Sequence, residues 1–334
     1  MKTTFYFDLK FLSPEFCKHP AFAKANVFLL NDIINHHTKD GNWYKTLKED
    51  FSQLEDIVLK TKTLSVDAIS YQNSGATISQ QLAYALAHAN EYLNAFGNNP
   101  ASIENVIFKI SVGSNYFFEI AKIRALRLLY ASLAKEYNVS RTCHIIALPS
   151  KRNKTLYDYN VNMLRTTSEC MSAVLGGADT ICNLPYDSLY HKSNEFGERI
   201  SRNQLLILKH ESYFDSVTNA SDGSYYIESL TTQLAEKALE IFKDIEKGGG
   251  FLAQLKEGTI QKKIKESAAK EQKAFDDGEK VLLGTNKHPN KEDRMKHNLE
   301  LYPFLKTKPR KTHIEPIIER RLAEKLEQER LDNE

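Results

Sequence analysis

Two adjacent histidines form the most obvious chemical grouping in this sequence. His36 and His37 lie on a segment whose pattern predicts a helix, and imidazole nitrogens are common metal ligands. Neighbouring residues of an α-helix point about 100° apart around its axis, so these rings cannot readily bind one ion from the same face. The pair therefore predicts no metal site.

The cysteines have no spacing that indicates zinc binding or a disulfide framework. The 4 cysteines are Cys17, Cys143, Cys170 and Cys182; they lie far apart, and no C-x-x-C pair occurs. We expect them to be reduced thiols that are packed in the interior.

The glycine groups provide no nucleotide-binding loop. Gly97, Gly176-Gly177 and Gly248-Gly249-Gly250 follow segments of helical period, and none forms a G-x-G-x-x-G turn or a G-x-x-x-x-G-K-[ST] loop. Because glycine readily adopts the left-handed conformation that ends a helix, we interpret these groups as helix stops.

Composition restricts the class of protein. The chain has 334 residues, of which 41% are hydrophobic and 26% charged, as in globular proteins with a substantial core. Its 45 basic and 43 acidic residues give a net charge of +2, which predicts no nucleic-acid partner. No apolar run approaches the roughly 20 residues of a membrane-spanning helix, and no secretory signal is present. We expect a cytoplasmic protein that binds no membrane.

The elements that must position these residues alternate between strands and helices. Short β-branched and aromatic runs predict six strands: Phe5–Phe11, Asn26–Leu30, Leu64–Ser70, Val106–Ser111, Cys143–Leu148 and Ala178–Cys182. The segments between and after them predict helices: Leu47–Lys60, Ile78–Phe96, Tyr116–Glu136, Leu156–Leu175 and Glu195–His210. This alternation is typical of an α/β protein with a parallel sheet covered by helices.

Only helices are predicted in the last part of the chain, at Thr231–Lys247, Thr259–Asp276 and Ile317–Leu331. The last of these carries one apolar side, made of Ile317, Ile318, Leu322 and Leu326. A helix with one apolar side must cover either its own fold or a partner. We therefore expect Thr231–Lys247 and Ile317–Leu331 to be docking surfaces.

Six strands are too few for a closed α/β barrel, which has eight. An open parallel sheet would leave hydrogen-bonding edges and part of the core uncovered. We expect that two strands are missing from the front of the sequence, or that another polypeptide fills the gap.

Several motifs follow one another in a fixed order. The later ones are Arg199-Ile-Ser-Arg-Asn203, Asp222-Gly-Ser-Tyr225, Ile245-Glu-Lys-Gly-Gly249, Gly284-Thr-Asn-Lys287 and Lys291-Glu-Asp293. The earlier ones are Asn31-Asp32, Gln72, Gly75-Ala76, Gln81 to Ala87, Glu91-Tyr92, Asn115, Glu119 to Lys122, Arg124, Arg127, Thr155, Asp158, Asn162, Arg165 and Thr166. In this combination the chain resembles the cobalamin-dependent acyl-CoA mutases from about Asn26 to Asp293. Among them it is most similar to the methylmalonyl-CoA mutase family, and within that family to the small (beta), non-catalytic subunit of the heterodimeric form.

The resemblance implies a (β/α)8 TIM-type barrel that lacks its first two strands. It places the partial barrel in residues 1–225 and a helical C-terminal extension in residues 226–334. Active members bind cobalamin through a D-x-H-x-x-G motif, whereas no aspartate here is followed two positions later by histidine. The sequence also ends at Glu334, where active members continue. We therefore expect no cobalamin-binding domain, and neither a cofactor nor a metal bound by this chain.

The resemblance also implies where active-site residues would lie. The family's histidine and glutamine after strand five, arginine in strand six and histidine after strand eight align with Ser70, Gln72, Asn105 and Cys182. Only Gln72 is retained. Asparagine loses most of the attraction that arginine has for a carboxylate, and cysteine lacks the nitrogen donor of imidazole. We expect a chain that is not catalytic alone, in which Gln72 caps neighbouring backbone groups.

A basic stretch aligns with the family's loop after strand seven. This stretch, Ser150-Lys-Arg-Asn-Lys154, predicts either contact with a coenzyme A phosphate or, more simply, a solvated loop. The first interpretation would make the chain a free-standing coenzyme A-binding module that depends on Lys151 and Arg152.

The resemblance implies a partner. We expect the chain to pair with a methylmalonyl-CoA mutase large subunit, which binds adenosylcobalamin and interconverts methylmalonyl-CoA and succinyl-CoA, and to stabilise that subunit. The alternative is the barrel fragment of a split mutase that acts with a separate cobalamin domain. The replacements at Asn105 and Cys182 argue against that alternative.

Overall fold

The computed structural model describes residues 3–10, 12–19, 26–96, 103–306 and 309–334. Within these residues, strands and helices alternate along most of the chain, and every pairing between named strands is parallel. The strands are β1 (Thr4–Asp8), β2 (Asn26–Leu30), β3 (Thr63–Asp67), β4 (Asn105–Val112), β5 (His144–Pro149) and β6 (Thr180–Ile181). The α/β class with parallel strands is confirmed. Phe11 and Gly97, which belong to a predicted strand and a predicted helix stop, lie outside the described residues.

The described strands form two sheets, in which neighbours follow chain order. One sheet pairs β1 with β2, and the other has the order β3-β4-β5-β6. The register of the second sheet aligns Phe108 with both Val66 and Ile145. A parallel connection must return along the sheet, and a helix between successive strands makes that return. The prediction that the barrel lacks two of eight strands stays a prediction.

Helices occupy the connections and the C-terminal part. They are α1 (Ile33–Asp40), α2 (Leu47–Thr61), α3 (Ile69–Asn73), α4 (Ile78–Phe96), α5 (Tyr116–Glu136), α6 (Val161–Leu175), α7 (Glu195–His210), α8 (Tyr225–Lys247), α9 (Phe251–Lys256), α10 (Thr259–Asp276) and α11 (Glu324–Asp332). Short 3-10 turns lie at Phe16–Lys18 and Phe214–Ser216. None of the helices in the described ranges is both long enough and apolar enough to span a bilayer.

Alternate strand residues face two different cores. In β4, Phe108 belongs to the main core beneath the helices, whereas Ile107 packs with Leu30 and Ile146 in a separate interior cluster. The strands are therefore covered on both faces, as parallel sheets require.

Side chains connect the two sheets across the interior. The hydroxyl oxygen of Tyr6 on β1 lies 3.0 Å from Nε2 of His144 on β5. The same nitrogen lies 2.9 Å from the hydroxyl oxygen of Thr180 on β6. The ring of Tyr6 also stacks on Phe28, with ring centroids 5.5 Å apart. The first strand thus faces the last across a shared interior, so the two sheets curve around it.

The apolar side of α8 is covered by the chain itself. Leu230, Leu234, Ala238 and Ile245 are buried in the main core, where α8 packs against α4 and α5. The prediction that these residues form a docking surface is wrong, because neighbouring helices already bury them.

The last predicted helix is shorter than expected. It begins at Glu324, so Ile317 and Leu322 precede it, and both are buried within the chain. Leu322 packs with Phe275, Leu282 and Ala323. The prediction that Ile317–Leu331 forms a docking surface is therefore wrong for Ile317 and Leu322, which the chain itself buries.

Backbone hydrogen bonds explain why residues 309–323 are not helical. Several of their N–H groups donate to carbonyl oxygens elsewhere in the fold: Ile317 to Thr38 (2.7 Å) in the last turn of α1, Ile314 to Gly41 (3.1 Å) just after it, Arg320 to Asn73 (3.1 Å) at the end of α3, and Leu322 to Arg152 (2.9 Å) after β5. Pro316 has no N–H to donate to a helix. We call residues 309–323 the C-terminal strap, because they run across the segments that follow β2, β3 and β5.

Candidate functional site

Ser70 and Gln72 lie directly after the carboxyl end of β3, the end at which parallel α/β folds hold their ligands. The predicted strand Leu64–Ser70 is too long, because β3 ends at Asp67 and α3 carries both residues. The Asp67 carboxylate accepts a hydrogen bond from the Ile69 N–H (3.1 Å), which turns the chain at that point. Ser70 is fully buried, and its hydroxyl lies 3.4 Å from Oδ1 of Asn35.

The Gln72 amide is held between two buried charges. Its Nε2 donates to Glu119 (3.2 Å), and its Oε1 accepts from the Lys122 ammonium (2.9 Å). Glu119 and Lys122 also form an ion pair with each other, one turn apart on α5. Gln72 therefore bonds to side chains rather than capping backbone groups, and both ends of its amide are used.

Further contacts hold this ion pair in place. Lys122 donates to Gln81 (3.2 Å) and to the Ser111 carbonyl (2.6 Å), and Glu119 accepts from the Gly113 N–H (2.9 Å). Burial lowers the pKa of Lys122, an effect that the Glu119 carboxylate opposes. The group thus joins the loops after β3 and β4 to α5.

A second charged group lies in the interior between the sheets. Lys109, from the middle of β4, donates to Asp67 on β3 (3.0 Å) and to Asp8 on β1 (2.8 Å). Burial alone would lower the pKa of Lys109, but the two carboxylates raise it above its usual value. Sequence reasoning missed Lys109, although strand alternation indicated it: Lys109 lies two residues after Ile107, on the same interior-facing side of β4.

Asp32 is the centre of a third group. The carboxylate accepts hydrogen bonds from Tyr92 (2.6 Å) and from the N–H of Asn35 (2.8 Å) and Asp67 (2.6 Å), and it lies 3.0 Å from Nε2 of His88. Burial would raise the pKa of Asp32, whereas His88 and the donated hydrogen bonds lower it. A cavity of about 270 Å³ lies between this carboxylate and Lys109. These contacts fix the loop after β2 against β3 and α4.

The structure does not bring Asn105, another of the aligned positions, to Gln72. Asn105 is the first residue of β4 and pairs with Thr63, the first residue of β3. At about 3.3 Å per residue, Asn105 lies roughly 23 Å from the carboxyl end of its strand. It is therefore at the end of the sheet opposite to Gln72. Cys182 follows β6 with an exposed side chain, so the prediction that it is packed inside is wrong.

The remaining cysteines differ in exposure. Cys143 and Cys170 are buried, as predicted, and burial raises the pKa of Cys143 to about 12. Cys17 is only partly buried. All four are free thiols.

The two adjacent histidines have different ring partners. His36 stacks on Tyr44 with ring centroids 3.6 Å apart, and His37 stacks on Trp43 at 3.9 Å. The prediction that the two rings diverge is confirmed.

The basic stretch after β5 is mostly buried. Arg152 pairs with Glu271, and Lys154 pairs with Glu169 (2.7 Å). Only Lys151 is exposed among its three basic residues. The prediction of a solvated loop is therefore wrong for Arg152 and Lys154, which are buried in ion pairs, and the prediction of contact with a coenzyme A phosphate stays a prediction.

Comparison with known proteins identifies the family. A family model described as methylmalonyl-CoA mutase matches residues 22–332. The chain belongs to the methylmalonyl-CoA mutase family.

Relatives within this family include proteins named as small subunits and proteins named simply as methylmalonyl-CoA mutase. The methylmalonyl-CoA mutase small subunit of Porphyromonas gingivalis is 42% identical over 238 residues, which cover 69% of this chain and 38% of that protein. The small subunit of Streptomyces virginiae is 34% identical, over 68% of this chain and 38% of its own length. The methylmalonyl-CoA mutase of Rhizobium meliloti is 34% identical, over 69% of this chain and 33% of its own length. The identities support the small-subunit resemblance. The matched region spans only 33–38% of the length of each of these relatives.

Several mutase-family motif residues hold the fold together. Arg124 donates to Asp222 and Glu228, at 2.6 Å each, and so attaches α5 to the start of α8. The Asp158 N–H donates to the Asp293 carboxylate (2.7 Å), which joins the start of α6 to the C-terminal part. These motifs therefore identify the family framework without identifying a reaction centre.

Proposed function

We propose that this chain is the non-catalytic small subunit of a methylmalonyl-CoA mutase, and that it pairs with and stabilises a cobalamin-binding large subunit. In this proposal the large subunit interconverts (R)-methylmalonyl-CoA and succinyl-CoA in the cytoplasm, as part of propionate metabolism. Adenosylcobalamin supplies radical chemistry when it is bound to the large subunit. No aspartate of this sequence has the histidine two positions later that the D-x-H-x-x-G motif requires, so we assign this chain no part in holding cobalt.

The state of Gln72 is the observation that carries the proposal. One of the two amide N–H groups of Gln72 donates to Glu119 and its amide oxygen accepts from Lys122, so two buried charged groups fix the orientation of this side chain. Releasing it would leave buried charged groups with fewer partners, which costs about 1–3 kcal/mol for each lost hydrogen bond. The neighbouring Ser70 has a short hydroxyl in place of an imidazole and is fully buried. The residues present thus fit a structural role better than a substrate-binding one.

The interior charges support the same conclusion. Lys109 is already paired with Asp8 and Asp67, so a substrate carboxylate would have to compete with two carboxylates for one ammonium. The names of the Porphyromonas and Streptomyces relatives also indicate the small subunit of a two-subunit enzyme.

Co-expression with a methylmalonyl-CoA mutase large subunit tests the proposal. Size-exclusion chromatography with light scattering should give a one-to-one complex, and the large subunit should melt at a higher temperature in the complex than alone. If the two chains elute separately at micromolar concentration, the pairing proposal fails.

An isomerase assay tests the non-catalytic role separately. Ser70→Ala removes one long hydrogen bond and should leave the turnover of the assembled enzyme unchanged within about twofold, because the reaction occurs in the other chain. The alternative, a split mutase, is tested with this chain and a separate cobalamin domain. Turnover in that mixture without a large subunit would refute the non-catalytic role, even if a complex forms.

A further inference from the structure

An apolar cavity lies on the outside of the fold, between α10 and the C-terminal strap. Its volume is about 440 Å³, and neither Gln72 nor Lys109 lines it. Ligand sites in proteins are mostly apolar and typically enclose about 300–1,000 Å³, so this cavity has the size of a small-molecule site. No sequence motif indicated this place, because α10 and the strap meet only in the folded chain.

Hydrogen bonds attach the strap to α10 at both ends of this cavity. At one end, Nε2 of Gln261 donates to the Glu315 carbonyl oxygen (3.0 Å), and the Glu315 carboxylate pairs with Lys265. At the other end, Nε2 of Gln272 donates to the Leu322 carbonyl oxygen (3.1 Å). At 1.5 Å per residue of α10, Gln261 and Gln272 are about 16 Å apart. The cavity is therefore an elongated slot whose two ends are fixed.

The walls of this slot are aliphatic between the two attachments. They come from α10, from the strap and from the segment before it: Ile264, Ala268, Ala269, Leu305, Ile317 and Ile318. Ile264 and Ile317 are buried, whereas Ile318 is 46% exposed. An exposed isoleucine that adjoins buried apolar side chains favours a ligand with an apolar body.

Positive charge predominates around the slot. Lys265, Arg152 and Arg320 line it together with one carboxylate, Glu315. Lys265 is paired with Glu315, and Arg152 is paired with Glu271. Arg320 is the available cation: in the described ranges its guanidinium has only the Glu324 carboxylate nearby, at 3.8 Å, which is too far for a strong hydrogen bond.

Backbone hydrogen bonds fix the position of Arg320. Its N–H donates to the Asn73 carbonyl oxygen (3.1 Å), and its own carbonyl oxygen accepts from the Arg152 guanidinium (2.8 Å). Arg320 precedes Leu322 by two residues, so its side chain starts near the Gln272 end of the slot. A carboxylate is the complementary group, because guanidinium and carboxylate form charge-assisted and often bidentate hydrogen bonds.

We propose that this slot binds an aliphatic monocarboxylate of the medium-chain fatty acid class. The carboxylate would pair with Arg320, and the hydrocarbon chain would lie between α10 and the strap, against Ile317 and Ile318. One available cation beside aliphatic walls favours a single negative charge at the end of an apolar chain. This binding does not depend on the pairing with a large subunit proposed above.

Isothermal titration calorimetry of the full chain tests the slot with decanoate, octanoate and decylamine. At low salt, and below the concentration at which it forms micelles, decanoate should bind with a Kd of about 1 mM or tighter. Octanoate should bind about tenfold more weakly, because it buries two fewer methylene groups. Decylamine has the same chain as decanoate with a positive head group, so it should also bind at least about tenfold more weakly. The proposal is overturned if decanoate does not bind up to about 5 mM, or if decylamine binds as tightly as decanoate.

Matched variants make the test specific to this slot. Arg320→Ala should weaken decanoate binding about tenfold, which corresponds to 1.4 kcal/mol, whereas Arg320→Lys should retain most of it. Ala269→Leu fills part of the slot and should also weaken binding at least about tenfold, with an unchanged melting temperature because Ala269 is only partly buried. Lys247→Ala removes an exposed lysine on α8 and should have no effect. Equal effects of Arg320→Ala and Lys247→Ala, or full binding by the Ala269→Leu variant, would overturn the proposal.

The same titration of the co-expressed complex tests whether a protein covers the slot instead. Decanoate should bind equally well to the chain alone and to its complex with a large subunit. Loss of binding in the complex, or a dimer of this chain that Ala269→Leu dissociates, would assign the slot to a protein partner and overturn the proposal. Because size exclusion measures the complex separately, failure here would leave the proposed pairing intact.

Discussion

Protonation of His37 should destabilise the fold, and Trp43 provides the means to observe it. Trp43 is the only tryptophan in the chain, and its ring lies face to face with that of His37. His37 is 2% exposed, and its Nδ1 has no hydrogen-bond partner in the described ranges. Burial lowers the pKa of His37 from 6.5 to about 4. A hydrogen bond with the Asn42 backbone and the Asp40 carboxylate partly oppose this lowering of the pKa, to which His313 and His36 also contribute.

The sign and the size of the effect follow from this shift. Because the folded pKa is lower than the unfolded one, the unfolded chain takes up the proton first as pH falls. Above pH 6.5 His37 has little effect on stability, and between pH 6.5 and about 4 the free energy of unfolding falls by about 1.4 kcal/mol per pH unit. The full loss below about pH 4 is about 3 kcal/mol, and at pH 5 it is about 2 kcal/mol.

Urea unfolding followed by Trp43 fluorescence measures this loss, with circular dichroism as a second probe. The comparison variant is His37→Phe, which keeps a flat ring against Trp43 but cannot titrate. Between pH 7.5 and pH 5 the parent chain should lose about 2 kcal/mol more than this variant. His36 and His144, whose pKa values are also lowered by burial, titrate in both proteins and cancel in the difference. Equal losses, within about 0.5 kcal/mol, would show that His37 titrates normally and that the reasoning from burial is wrong.

Three further substitutions test the packing around the site. Leu322→Ala should lower the free energy of unfolding by about 2–5 kcal/mol because Leu322 is 1% exposed, whereas Leu326→Ala, at 38% exposed, should change it by no more than about 1 kcal/mol. Equal urea midpoints for the two variants would contradict the observed course of the strap. Lys122→Met should lower the free energy of unfolding by about 3–5 kcal/mol, because it leaves Glu119 buried without its ion-pair partner, and adding Glu119→Gln should recover part of this loss. Additive effects in the double variant would argue against coupling between the two residues. Gly41→Ala should lower the free energy of unfolding by more than about 1 kcal/mol, because Gly41 has φ 85° and a Cβ there would lie 2.8 Å from the Ile314 carbonyl oxygen. An unchanged melting temperature would mean that the strap does not pack on α1 as described.

Local sequence patterns determined the boundaries of several elements. The predicted bounds of α4, α5, α7 and α10 agree with the structure at both ends, and so do those of β2. Such boundaries depend on neighbours in sequence: Asn194, for example, accepts from the Gly197 N–H at the start of α7 (2.8 Å). The ordered motifs likewise identified the family from the sequence, because recognising them requires no knowledge of three-dimensional contacts.

Only the tertiary structure decided which residues cover each apolar surface and which residue pairs with each buried charge. The apolar residues before α11 had helical spacing, yet their N–H groups donate to carbonyl oxygens of distant segments, so the strap is not helical. Arg152 belonged to a basic stretch in the sequence, but Glu271, 119 positions away, makes it a buried ion-pair partner. Periodicity reveals that a residue must be buried and not what buries it, because burial and pairing depend on positions that only the folded chain brings together.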